Sequence, residues 1–368
     1  MTDKDKQTQK ISMSAGQKLF CLMSAVALML TFIYSDTAIS AMSDGMKLCV
    51  STLIPSLFPF MVLSELFVRS GAADIVGRIV GAPVSWLLGV SREGSVAWLL
   101  GVVCGFPIGM KCALSLYDRG KISRAELEHL STFCNVPSSA FLIGAVGTSL
   151  FGSKNFGLVL YAAHIIASLM IGFVGRFYFS GKRKEYFFGS GAAESKQGAA
   201  KAFSESVTSS ATSMLFICAF VVFFSSFVGI LRYILEDMRI GVFAKFLVFG
   251  FFEMTGGVSA ASELPVRYAI PAVAIITGWS GLSVHFQLIG ICGERKISLC
   301  PYFFAKIAGA LLCAALTTVL ANVFADSLHF SVGSVQSVLL VPSTPTAIFT
   351  LVFFGLSCLN MLARARKK

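Results

Sequence analysis

The chain has 368 residues, of which 55% are hydrophobic and 13% charged, against about a quarter charged in an ordinary soluble domain. Its mean hydropathy is +0.78 and its apolar residues fall in long uncharged runs, which excludes a soluble globular protein. The formal net charge of +11 suits nucleic acid at first sight, but the cations are grouped as membrane proteins group them, so nucleic acid is not expected as a partner.

In chain order, stretches free of Asp, Glu, Lys and Arg cover 19–35, 48–64, 94–110, 129–153, 155–175, 206–231, 269–293, 307–325 and 327–363. Most approach the ~20 residues that a helix needs to cross the hydrocarbon core. They are continuous rather than alternating, which argues against a β-barrel. The expected fold is an all-α polytopic membrane protein with roughly 8–10 membrane segments. The first run is followed by Asp36 without an Ala-x-Ala-like end and is read as a retained helix rather than a cleaved signal. The cysteines form no C-x-x-C pair and are read as small packing residues, so neither a metal nor another cofactor is expected.

Basic residues cluster before the first run (Lys4, Lys6, Lys10, Lys18), in a polar mid-chain linker (Arg176, Lys182, Arg183, Lys184, Lys196, Lys201) and at the end (Arg364, Arg366, Lys367, Lys368). The positive-inside rule places all three segments, and so both termini, in the cytoplasm.

Two halves flank the linker and resemble each other. C-G-F-P-I-G-M-K-C-A-L-S-L at 104–116 matches F-E-M-T-G-G-V-S-A-A-S-E-L at 252–264, pairing Gly109 with Gly257; F-L-I-G-A-V-G at 141–147 matches Q-L-I-G-I-C-G at 287–293. The charge bias reverses between them. Arg119, Lys121 and Arg124 crowd the loop after the first glycine motif, whereas the loop after the next helix is basic only in the second half, at Arg295 and Lys296. Reversal is what an inverted-topology repeat requires. The expected organisation is a cytoplasmic N-terminus and first helix (1–42), repeat unit 1 (43–178), a basic cytoplasmic linker (179–202), repeat unit 2 (203–325), and a last helix with a basic cytoplasmic tail (326–368). An odd number of crossings per unit is met by three crossings and one re-entrant hairpin.

Breaks in apolar runs point to a site, because unwound backbone at membrane depth is tolerated only where it faces protein or a water-filled cavity. The first unit is interrupted at F-C-N-V-P-S-S-A, where Pro137 removes an N–H and Asn135, Ser138 and Ser139 supply polar groups. The second has T-G-W-S-G-L-S-V-H, with Ser280, Ser283 and His285. Glycine-rich turns precede both breaks: Gly105, Pro107 and Gly109 in one unit, Thr255, Gly256 and Gly257 in the other. Ionisable residues at membrane depth complete the candidates. Lys111 could pair with an acidic substrate, and Glu65 and Glu253 could carry a coupling ion or proton. No Walker loop, G-x-S-x-G or H-E-x-x-H is present, so no enzyme is expected.

The segments L-I-P-S-L-F-P-F-M-V-L-S-E-L (53–66), G-F-P-I-G-M-K (105–111), L-Y-D-R-G-K-I-S-R-A-E (116–126) and F-C-N-V-P-S-S-A-F-L-I-G-A-V-G (133–147) resemble the sporulation integral membrane protein YlbJ family, within the nucleoside-recognition or Gate domain membrane proteins. The resemblance implies a multi-pass protein of the cell membrane in endospore formers, sited in the mother cell's outer forespore membrane and moving dipicolinic acid. It also implies an architecture akin to concentrative nucleoside carriers. The function expected is thus a secondary transporter or facilitator of a small organic anion, with the lipid bilayer as surroundings and a homo-oligomer left open. The alternatives are a non-transporting spore morphogenesis protein and a nucleoside or metal-ion carrier.

Overall fold

The computed structural model describes residues 14–79, 81–180, 198–238, 240–325 and 328. The first 13 residues, the middle of the linker and, apart from Leu328, the expected last helix lie outside the described residues. The described residues are helical with no strand among them, an all-α polytopic membrane fold.

Helix α1 (Ala15–Ile33) starts at a capping box, in which Gln17 N–H donates to Ser14 Oγ and Ser14 N–H donates to Gln17 Oε1. Its apolar window is 0% buried, as suits a helix surrounded by lipid. Helix α2 (Ser35–Leu48) passes through a π-helical turn at Cys49–Leu53 into α3 (Ile54–Arg69), which carries Pro59 in its interior. Short helices α4 (Ala72–Ile79) and α5 (Gly81–Leu88) lead to a helical hairpin of α6 (Arg92–Cys104) and α7 (Ile108–Asp118). Helix α8 (Arg124–Phe133), capped by Ser123, loses its helical path at 134–138 and resumes as the π-helical segment Ala140–Leu150 before α9 (Lys154–Ser180).

The second half begins with α10 (Ala199–Asp237), whose 39 residues span about 58 Å at 1.5 Å per residue, longer than a bilayer core is thick. A second hairpin of α11 (Val242–Phe252) and α12 (Met254–Ser262) follows, then α13 (Val266–Trp279), a break at Ser280, α14 (Gly281–Cys292) and α15 (Cys300–Val323). Each half thus runs hairpin, broken helix, long helix.

Glycines let each hairpin close. A Cβ added to Gly109 would lie 2.7 Å from the Cα of Gly101 on the other arm, and one added to Gly257 would collide with Gly250. The hairpins open toward opposite ends of α10. The base of the first is tied to the start of α8, where Ser91 N–H donates to Glu126 Oε1 at 2.5 Å, at the end where α9 finishes and α10 begins. The second follows directly from the far end of α10. Two buried cores form, and each draws on both halves: Met110, Leu127 and Leu130 pack with Met214, Leu288 and Tyr302 in one, and Leu142, Phe156 and Leu160 with Phe246, Ile270 and Leu312 in the other.

Among the described residues five helices are able by length and composition to cross a membrane, or six if the bent pair α5 and α6 counts as one span. The number is smaller than the number of apolar runs because runs such as 48–64, 94–110 and 129–153 are divided among shorter helical segments, and the run 327–363 lies, apart from Leu328, outside the described residues.

Candidate binding site at two helix breaks

The first break is held open by its neighbours. Pro137 has no N–H to continue a helix, and the Val136 carbonyl freed there accepts the N–H of Phe106 at the tip of the first hairpin (2.8 Å). Gly105 sits at φ +83°, and a Cβ there would fall 2.6 Å from the backbone of Ser138. Only glycine fits this point, where hairpin and break meet. Asn135 donates its Nδ2 to the Ser131 carbonyl (2.9 Å), so its Oδ1 faces away and has no partner. Ser138 Oγ accepts from Phe141 N–H (3.2 Å), capping the π-helical segment.

The second break is a single residue. Ser280 takes a left-handed conformation (φ +75°), followed by Gly281 at φ +80°. Here too a hairpin tip abuts the break: a Cβ on Gly281 would lie 3.0 Å from the backbone of Glu253. Glu253 itself caps α12, accepting from Thr255 N–H (2.9 Å), Thr255 Oγ1 (2.5 Å) and Gly256 N–H (2.6 Å). Helix α14 starts in the interior without a side-chain cap, its first residue Gly281 and its Ser283 both buried.

Lys306 of α15 joins the breaks. Its ammonium donates to the Asn135 carbonyl of the first (3.0 Å) and to Ser280 Oγ of the second (3.2 Å). The side chain is buried, and among the described residues no carboxylate lies within ion-pair distance of it. A lone cation in a protein interior is costly unless something compensates it. What surrounds it here is neutral: a backbone carbonyl, a hydroxyl and the start of a helix.

His285 lies deeper in α14. Its Nδ1 meets the hydroxyl of the fully buried Tyr302 (2.7 Å), the Trp279 ring sits edge-on at 4.3 Å, and Nε2 has no partner. Ser283 Oγ accepts from Gln287 Nε2 (3.2 Å).

The chain is 27% identical over 321 residues to the sporulation integral membrane protein YlbJ of Bacillus subtilis (strain 168), with 78% of each chain covered. No family model matches the chain, and no solved structure does.

In this chain Asn135, Pro137 and Ser138 gather with Gly105 at the first break and Ser280 at the second, linked through Lys306. Ser139 immediately precedes the π-helical segment, and Pro107 immediately precedes α7. Gly256 and Gly257 are buried in the second hairpin, and Thr255 is exposed beside Glu253. Lys111 turns elsewhere. Two residues beyond Gly109 a helix has rotated by about 200°, so with Gly109 facing Gly101 the lysine faces α10, donating to Ser213 Oγ (3.2 Å). It joins a polar network there in which Glu65 accepts from Arg69 Nε (2.8 Å) and Ser115 Oγ (3.0 Å), and Arg69 bridges to Glu205 (2.5 Å). Three residues the sequence reading passed over, Lys306, Tyr302 and His164, stand at or beside the breaks.

Proposed function

We propose that this chain is a secondary transporter or facilitator for a small organic anion, and that dipicolinate, crossing the outer forespore membrane, is the anion. The observation that carries the reading is Lys306, a buried ammonium shared by two helix breaks and left, among the described residues, without a carboxylate. An anion arriving between the breaks supplies the missing charge. The uncapped start of α14 adds backbone N–H groups and the positive end of a helix dipole, and Asn135, Ser138, Ser139, Ser283 and His285 offer polar groups around it. Each hairpin tip touches a break, so movement of a hairpin would open the site toward the side from which that hairpin enters.

The likeness to the Bacillus subtilis sporulation membrane protein supports the sporulation role, and the site supports the substrate class. Vesicles reconstituted with the purified chain should show saturable dipicolinate flux, with nucleosides and divalent metals as competing candidates in parallel. Flux that is absent, or that persists unchanged in Lys306→Gln, overturns the reading.

A further inference from the structure

Beside the first break Lys306 lines a cavity of about 40 Å³ together with Thr132, Asn135, Pro137, His164 and Ser168. That is room for roughly two or three waters. Thr132 and Ser168 are satisfied by the carbonyls of His129 and Ile165. Two buried atoms of the lining residues are not: Asn135 Oδ1 and His164 Nε2.

The polarity of each is fixed by its other bond. Asn135 Nδ2 donates to a carbonyl, so the orphan Oδ1 is an acceptor. His164 Nδ1 meets the Leu160 carbonyl at 2.7 Å; a carbonyl only accepts, so Nδ1 carries the hydrogen and Nε2 is the basic atom. An ammonium has three N–H bonds, and Lys306 uses two on the breaks. Its third faces a neighbourhood with two vacant acceptors and space for water. The titratable groups facing the pair are Cys134 at the break, Cys313 of α15 and His285 of α14, and the Thr277 carbonyl stands beside the His164 ring outside hydrogen-bonding geometry. None of them is a carboxylate.

We infer that this cavity is the proton site of the carrier, in which Lys306 and His164, bridged by water, take up a proton together with the anion. The inference rests on the anion reading above. With the site empty, the two bases share one positive charge, since nothing near them balances a second. A carboxylate at the breaks balances Lys306 as an ammonium, and a proton from bulk water then bonds to the Nε2 lone pair of His164, leaving hydroxide to the buffer. No electron changes hands. Each anion thus enters with part of its charge neutralised, and a proton gradient drives its accumulation.

The test is titration calorimetry of the full-length chain in lipid nanodiscs with dipicolinate, in two buffers of different ionisation enthalpy, which reads protons taken up per ligand bound. The native chain should take up about one proton per dianion. His164→Asn keeps a donor for the Leu160 carbonyl but removes the basic nitrogen; it should bind more weakly and with uptake falling to about zero. Binding without uptake in the native chain overturns the proposal, as does undiminished uptake in His164→Asn. If that variant does not fold, the native measurement decides alone. A native chain that shows no binding heat overturns the anion reading itself, a distinct result.

Discussion

Arg295 grips Asp118 with two parallel bonds, Nε to Oδ1 at 2.8 Å and Nη2 to Oδ2 at 2.5 Å, joining the end of α7 to the loop between α14 and α15. Glu128 in α8 accepts the N–H of Ser298 in the same loop (2.8 Å). The halves are therefore clasped at the end where the first hairpin opens. The clasp is half exposed, and Asp118→Asn or Arg295→Gln should each lower stability by less than about 1 kcal/mol. The charge-swapped double variant should recover most of the loss in a thermal-shift double-mutant cycle. The hydrogen bond to Asp118 raises the Arg295 pKa above its ordinary value. Its stabilisation is full below the unfolded pKa and is lost only above that, so the difference between native chain and Asp118→Asn should stay flat from about pH 7 to about pH 10. A difference that shrinks across this range contradicts the assignment.

Lys306 separates stability from function. Replacing a buried unpaired charge with an apolar side chain of similar length is commonly neutral or stabilising, while an anion site without its cation fails. Lys306→Met should keep or raise the melting temperature of the purified protein and abolish dipicolinate flux. If melting temperature and flux fall together, Lys306 serves the fold rather than the ligand.

The breaks were legible because they violate the pattern around them: a proline after an asparagine in one apolar run, two glycines bracketing serine in another. Lys306 was not, because an uncharged run begins at the next residue and a lysine at its edge reads as an interface cation. What sinks it is the start of α15 at Cys300, with Pro301 in the first turn, which puts Lys306 well over a turn inside the helix. Lys111 shows the reverse. Its place after a glycine turn pointed to the ligand, but the helical rotation from Gly109 carries it to α10 and the Glu65 network. The π-helical path of Ala140–Leu150 leaves no trace in composition.

Hairpin closure sets a steric limit. Gly109 meets Gly101 and the Cys134 carbonyl at the first break, so Gly109→Val must push the hairpin off the break. Overpacking of this kind costs about 1–3 kcal/mol, and the variant should show a lower melting temperature and little flux. Gly144 has nothing within 4 Å of an added Cβ, and Gly144→Ala should match the native chain or exceed it by up to about 1 kcal/mol. Equal losses at both positions would mean that glycine acts through backbone freedom rather than through close approach.

Ser280 lets backbone and side chain be tested apart. Its left-handed conformation is unfavourable for any residue but glycine by about 1–2 kcal/mol, while its hydroxyl accepts from Lys306 and donates to the Thr277 carbonyl. Ser280→Gly relieves the backbone and removes the hydroxyl; Ser280→Ala removes the hydroxyl and keeps the strain. Both should weaken dipicolinate binding to a similar degree, because each leaves Lys306 without its contact to the second break. Only Ser280→Gly should hold or raise the melting temperature. A natural serine at a position where glycine is more stable marks the hydroxyl as the retained feature. Native-level affinity in Ser280→Gly would remove that hydroxyl from the site and leave the second break with a purely structural turn.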